Sequence, residues 1–260
     1  MLDMSFSVQD LEYFLLIFVR ITCFVLTAPF FSTANVPQVT KTGFSFFVSM
    51  LLYQFVVPHD VLVYNTVLGY SVLVIKEAIV GVLVGLGCNI VIAILTFAGK
   101  IMDMEVGLSM VNIYDPTTRT NEGFSGMFYH YLVLLVLILS GMHHYLLRAL
   151  VELFKVVPTG RIVIGYDKFL PAAVSFLGDY ISIGFRICLP VFAAMLMVNV
   201  ILGILAKVAP QMNMFAVGMQ IKIIIGLSLM FLTIGMLPGM SNLLYAEIKK
   251  MMVTMTGVFS

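Results

Sequence analysis

The stretch AIVGVLVGLGCNIVIAILTFAG, residues 78–99, carries no Lys, Arg, Asp or Glu, and four more such stretches occur at 21–40, 123–147, 187–206 and 223–246. A helix of about 20 apolar residues crosses the roughly 30 Å hydrocarbon core of a bilayer. Each unpaired backbone group in that core costs several kcal/mol, which leaves only helices and closed barrels as spanning structures. Unbroken apolar runs, rather than the alternation of barrel strands, select helices. The sequence predicts an all-α, multi-helix integral membrane protein, with long hydrophobic helices and hairpins packed together.

Composition points the same way. Hydrophobic residues make up 61% of the chain and charged residues only 10%, and the mean hydropathy is +1.09. Soluble domains hold about 25% charged residues, so a water-soluble chain is disfavoured. The net charge of +1 gives no footprint for nucleic acid, and Lys249-Lys250 is a short basic pair rather than a lipid-binding tail. Cys23, Cys88 and Cys188 are odd in number and lie inside apolar runs, which predicts buried free thiols and neither a disulfide framework nor a metal cluster. The start MLDMSF is acidic and lacks a basic region, so no cleaved signal peptide is expected.

The first helix is expected from about Ser7, with Asp10 as an acidic capping partner, loosening at Pro29. A connector containing Pro37 and Lys41 leads to a second apolar piece over 43–57, closed by Pro58. Over 61–98 only Lys76-Glu77 interrupts the apolar pattern. One helix there would be about 57 Å long, too long for a bilayer core. Two spans would have to turn at Lys76-Glu77 without Gly or Pro. The same difficulty recurs over 169–206, which holds Asp179, Arg186 and an expected kink at Pro190. The acidic N-terminus reads as outside, and the basic 152–168 loop and C-terminus as cytoplasmic; those placements agree only if 61–98 is a hairpin. Packing inside a larger helical assembly would remove the conflict. No internal repeat is visible, so the best sequence pointer to an inverted-repeat transporter is missing.

Several residues invite chemistry. Gly123-Phe-Ser125-Gly126 has the form of an intramembrane serine protease motif, which needs a histidine base in reach. His130, His143 and His144 are expected on the helix that Ser125 opens, His143 about 27 Å along it. The glycines and serine therefore read better as a helix start. The His143-His144 pair is a candidate proton relay, although neighbours on a helix diverge by about 100°. Arg148, Glu152 and Lys155 suit a surface ion-pair ladder. Arg20 needs a partner from another helix, and Asp179 and Arg186 share a face. If 187–206 and 214–237 form a hairpin about Pro210, Lys222 comes level with Asn199. A secondary transporter or channel using Lys222, Asp179, Arg186 or His143/His144 remains the rival reading at this point. Gly81-x-x-x-Gly85 permits close helix approach.

The segment KIMDMEVGLSMVNIYDPTTRTNE, residues 100–122, sets a long mixed-charge loop between two apolar segments. Such loops are functional or disordered, and its Val, Leu, Met, Ile and Tyr content speaks against disorder. Met102, Met104, Met110, Met212, Met214 and Met219 lie near loops, where flexible side chains would suit a deformable seal, and Asp115-Pro116-Thr117-Thr118 is a turn-forming polar run. Ordinary packing accounts for most of the chain's 19 methionines.

Ala28-Pro29-Phe30-Phe31-Ser32, then Val36-Pro37 and Lys41-x-Gly43, resembles the start of the FliR family of flagellar and type III secretion export-gate proteins. The likeness continues through Lys76-Glu77-Ala78, Gly107-x-x-Met110 and Asp115-Pro116. It is strongest in Ala209-Pro210-Gln211-Met212-Asn213-Met214-Phe215-Ala216-Val217-Gly218, with Lys222 following. Met219-Gln220 departs from the family pattern, which commonly has an aromatic or aliphatic residue followed by Pro. The resemblance implies a non-enzymatic, cofactor-free subunit of a gate for unfolded secreted substrates, in the bacterial inner membrane at the flagellar basal body. It implies FliP-like and FliQ-like partner subunits, an FlhB-like substrate-switch protein and membrane lipid. Residues 1–165 would be the FliP-like part, with a gate loop over 100–123, and 166–260 the FliQ-like hairpin part. The loop matching 106–123, from Val106 onward, would plug the lumen, with Met102, Met104, Gly107, Ser109 and Met110 as the small and flexible groups that close it and the Asp115-Pro116 turn holding its tip. Subunit interfaces are expected at Gly81, Gly85, Arg20 and Asn199, and at Pro210, Asn213, Phe215, Gly218 and Lys222.

Overall fold

The computed structural model describes residues 8–55, 64, 66–109, 112–115, 120–162, 165–211 and 213–259. Eight α-helices carry most of them: α1 Val8–Thr27, α2 Gln38–Phe55, α3 Val67–Val106, α4 Phe124–Leu139, α5 Met142–Val156, α6 Tyr166–Val208, α7 Met214–Thr233 and α8 Leu237–Phe259. A short 3₁₀ turn, Ile234–Met236, joins α7 to α8, and two strands, β1 Asn112–Asp115 and β2 Thr120–Gly123, form an antiparallel hairpin. Among the described residues, three helical runs can cross a membrane by length and composition, or four if α4 and α5 form one broken span. This is the helical membrane architecture that the charge-free runs predict.

Local chemistry sets the ends. α1 has Asp10 in its first turn, where a carboxylate suits the helix dipole. It stops before Pro29, and Phe30 takes a left-handed φ of 69° that turns the chain away. Pro37 stands just ahead of α2, where its missing N–H is harmless. α1 and α2 interlock through aromatic edges, with Phe14 against Phe46 and Tyr53 at 5.5 and 6.1 Å between ring centroids.

Three expectations are corrected. Residues 67–106 form one 40-residue helix and not a hairpin turning at Lys76-Glu77. The two charges do not break the helix because each finds a partner inside the fold: Glu77 pairs with Arg20, and Lys76 Nζ donates to Ile162 O at 3.3 Å. The helix opened at Phe124 does not run on to the histidine pair. It ends at Leu139 with Ser140 as its C-cap, and Gly141, at φ 78°, breaks the helical path before α5. A left-handed φ there suits only a residue without Cβ. Residues 100–106 are not loop but the last turns of α3, and much of the remainder is the β hairpin. α6 continues as one helix past Pro190.

Packing groups the chain into two compact units, Met1–Ile90 with Gly141–Phe176 and Glu247–Ser260, and Val91–Ser140 with Leu177–Ala246. The first has a core of Leu16, Ile17, Ile21 and Phe24 of α1, Val80 and Val84 of α3, Leu146, Leu150 and Phe154 of α5, and Ile248 of α8. A Cβ on Gly85 would strike Thr27 Oγ1 and stand 2.9 Å from Phe24 O, so the α1 and α3 backbones nearly touch. The second has a core of Ile94, Leu95, Met102 and Val106 of α3, Tyr129 and Val133 of α4, Val191 and Met195 of α6, and Met230 of α7. There α3 and α4 cross with Gly99 directly on the Gly126 backbone. In a medium as apolar as the side chains, close packing of this kind, and not water exclusion, holds helices together. Cys23, Cys88 and Cys188 are free thiols.

Candidate functional site

The end of α3 and the chain that follows it are fastened from both sides. Gly107 N and Leu108 N both donate to Asp103 O, at 3.0 and 2.9 Å, which closes the helix. Gly107 then reverses the chain at φ 91°, with open space where a Cβ would be. The β hairpin pairs Asn112 with Gly123 and Asp115 with Thr120. Asp115 is buried and accepts from Tyr131 Oη of α4 at 2.7 Å. The carboxylate of Asp103 caps the start of α4 from outside, accepting from Ser125 N at 3.1 Å and from Ser125 Oγ at 2.5 Å. A negative group at the N-terminus of a helix meets both its unpaired N–H groups and its dipole. A Cβ on Gly123 would collide with that carboxylate.

Ser125 is wholly buried, with its hydroxyl shared between Asp103 and the sulfur of Met230, 3.4 Å away. A histidine base is absent from these contacts, so the Gly-x-Ser-Gly motif works here as a helix start.

Beside this segment, α6 and α7 form the hairpin expected about Pro210. Asn213 caps α7, its side chain accepting from Ala216 N at 3.4 Å. The hairpin and the end of α3 enclose a cleft of about 300 Å³ lined by Val106, Gly107, Asn199, Leu202, Gly218, Met219 and Lys222. Gly107 of the expected loop and Asn199, Gly218 and Lys222 of the expected hairpin therefore meet in one place. Asn199 and Lys222 do come level, but Asn199 Nδ2 donates to Glu105 Oε2 at 3.4 Å. Val106 is fully buried and seated against Gly226, where a Cβ would stand 2.5 Å from Val106 Cγ1.

The remaining expected residues divide clearly. Met102 is buried in packing, whereas Met104 is 70% exposed and Ser109 is also exposed. Met110, Pro116 and the side chain of Phe215 lie outside the described residues. Arg20, Gly81 and Gly85 were expected at subunit interfaces, and the structure uses all three inside the chain. Arg20 is fully enclosed: its Nε donates to Glu77 Oε2 at 2.5 Å, its Nη1 to Val157 O at 2.8 Å, and its guanidinium lies 4.4 Å from the Phe154 ring centroid. Glu77 Oε1 in turn accepts from Gly160 N at 2.8 Å, so one ion pair ties α1, α3 and the segment after α5. Gly81 and Gly85 face the α1 backbone.

Asp103 and Glu105 are working carboxylates that the sequence reading did not single out, and Glu77, named there beside Lys76, was not matched with Arg20. The signal was available in outline: a single acid and a single base, each set in an apolar helix, must find each other or another polar group. Asp179 and Arg186 both lie on α6. His143 and His144 lie on α5 with ring centroids 3.9 Å apart. Of the expected ladder, Lys155 meets Glu152 at 2.9 Å, both exposed. Such pairs contribute about 0–1 kcal/mol.

Residues 11–248 match the family described as bacterial export proteins, family 1. The chain is 33% identical over 220 residues to flagellar biosynthetic protein FliR of Bacillus subtilis, a match spanning 84% of each chain. The chain belongs to the FliR family. It is also 29% identical over 245 residues to the FliR protein of Aquifex aeolicus, spanning 93% of each chain. With FliR of Escherichia coli it shares 26% identity over 230 residues, 88% of this chain and 87% of that one. In this member of the FliR family, the family-like segments at Gly107 and at Ala209 to Gly218 both border the cleft at the end of α3.

Proposed function

We propose that this chain is a structural subunit of the flagellar protein-export gate, helping to form the conduit for unfolded substrates and to plug it. Family membership across 11–248 carries the reading. The chain is a helical membrane component of the export apparatus, and its chemistry is mechanical rather than catalytic. The exposed apolar side chains along α6, among them Leu170, Val174, Leu177, Ile181 and Phe185, suit lipid or neighbouring helices and not water. α3 and α6, each about 60 Å or longer at about 1.5 Å per residue, overreach a bilayer core. A larger helical assembly accommodates such length.

FliP-like and FliQ-like subunits are the proposed neighbours, with 1–165 taking the FliP-like role and 166–260 the FliQ-like role. The hairpin tip at Pro210 and Asn213 would meet these neighbours and the FlhB-like protein. The proposed location is the inner membrane at the flagellar basal body. The plug is the segment 107–118, fastened at its start by Asp103 and near its tip by Asp115 and bearing exposed Ser109, with exposed Met104 one turn before it.

Co-expression with FliP-like and FliQ-like proteins, followed by mild-detergent pull-down and mass analysis, tests the assembly. A discrete three-component complex is expected, and a stable lone protein would count against the gate. Shortening 107–118 in that complex should raise ion permeability while leaving assembly intact. Unchanged conductance would refute the plug.

A further inference from the structure

We propose that the start of α2 and the groove beside it hold one anionic phospholipid, with the phosphate at the first turn of α2 and one acyl chain between α1 and α2. The groove, of about 550 Å³, is lined by Phe18, Gln38, Val39, Thr42, Gly43 and Phe46. Its lining is divided by chemistry. Gln38 and Thr42, one turn apart at the beginning of α2, make a polar mouth. Beyond them the walls are apolar: the Phe46 ring stands edge-on to Phe18 at 6.1 Å between centroids, and Val39 is exposed beside it. A Cβ on Gly43 would meet nothing within 4 Å, so the middle of the groove is open. Walls of this kind suit a hydrocarbon chain and not water.

Two independent features call for an anion at the polar mouth. Thr40 N and Lys41 N both donate to Pro37 O, at 3.0 and 3.3 Å, which leaves the N–H groups of Gln38 and Val39 without a partner among the described residues. Unpaired N–H groups and the positive end of the helix dipole attract a phosphate. The second feature is Lys41 itself. It is only 9% exposed and makes no hydrogen bond or ion pair with any described residue. No Asp or Glu occurs between Glu12 and Asp60. The buried hydroxyls one and two turns below it are turned back on their own helix, Ser45 Oγ to Lys41 O at 2.9 Å and Ser49 Oγ to Ser45 O at 2.6 Å. Helical side chains lean toward the N-terminus, which carries the Lys41 ammonium toward Gln38 and the unpaired N–H groups. A charge taken largely out of water without a counter-charge is costly, and a phosphodiester supplies both the charge and the acceptor oxygens. A soluble anion would fill the mouth and leave the apolar groove empty. A phospholipid fills both.

The experiment uses the full-length chain in mild detergent, titrated with phosphatidylglycerol or with diacylglycerol of the same acyl chains, and reads bound lipid by native mass spectrometry. The wild type should hold one phosphatidylglycerol per chain and prefer it to diacylglycerol by about tenfold or more, as expected for charge-assisted hydrogen bonds to the phosphate. Lys41→Gln should remove most of that preference while leaving diacylglycerol binding unchanged, and Lys41→Arg should keep it. Gly43→Leu, which fills the open middle of the groove, should weaken both lipids. Circular dichroism of each variant reports that the helices are intact. Equal binding of the two lipids by the wild type would overturn the proposal, and so would an unchanged preference in Lys41→Gln. If Lys41→Gln binds phosphatidylglycerol as the wild type does but lowers the yield of the co-expressed complex, the ammonium meets a protein carboxylate and the lipid site is wrong. The lipid titrations are made on the chain alone, so their result stands whether or not the gate reading does.

Discussion

Arg20 shows how a charge survives inside an apolar bundle. Its guanidinium uses a carboxylate, a carbonyl and an aromatic face together, while Nη2 is left without a hydrogen-bond partner, so the cost of taking it out of water is offset in large part within one site. Removing one partner is then far worse than removing both. Glu77→Leu should destabilise the protein by about 3–5 kcal/mol, because it strands a buried cation. The double variant Arg20→Leu/Glu77→Leu should recover most of that loss. Thermal unfolding in mild detergent measures both, and equal losses in single and double variants would disprove the pairing argument. The sequence exposed half of this site. Arg20 visibly lacked a partner on its own helix, but choosing Glu77 over other acids required the crossing of α1 and α3. The same holds for Ser125: its motif marked a helix start, but the carboxylate that caps it comes from 22 residues away.

At the scale of helices, the bundle is held by places where side chains are missing. Gly99 of α3 lies on the Gly126 backbone of α4, and a Cβ there has no flexible atom to displace. Gly99→Ala should therefore force the crossing apart and destabilise by about 1–3 kcal/mol, the usual penalty of overpacking. Unfolding in detergent reads this directly, and a neutral result would mean that the crossing yields freely. Small-xxx-small spacing made Gly81 and Gly85 legible as a close contact, yet could not say which helix would use it. Both serve α1 within the chain. The length of α3 was also visible as an apolar pattern interrupted only at Lys76-Glu77, and the hairpin alternative arose because a helix of about 57 Å overreaches a bilayer core and because the charge-based placement of the ends agreed only with a hairpin. The partners of those two charges lie in α1 and after α5, which no local window contains.

For the whole molecule, the question is what the exposed hairpin meets. Lys222 is half-buried in the cleft between α6, α7 and the end of α3. Lys222→Ala should lower the yield of assembled complex severalfold if its ammonium bridges to a neighbouring subunit, while leaving the isolated chain's helical content unchanged. Wild-type yield in a pull-down would refute the bridge. The sequence by itself determined the class, because apolarity over a membrane-length window is a local property and forces backbone pairing into helices. It marked the helix start around Ser125 for the same reason, since turns and caps are written in adjacent residues, whereas a hairpin about Pro210 entered only as a condition for bringing Lys222 level with Asn199. Only the tertiary structure decided that α3 is one helix, that the helical path breaks at Gly141, that Arg20 belongs to Glu77, and that Glu105 meets Asn199 while Val106 packs on Gly226. Each of those depends on a partner far along the chain or on local geometry with no unique residue signature, and on the low-polarity interior in which an unpaired charge is not tolerated.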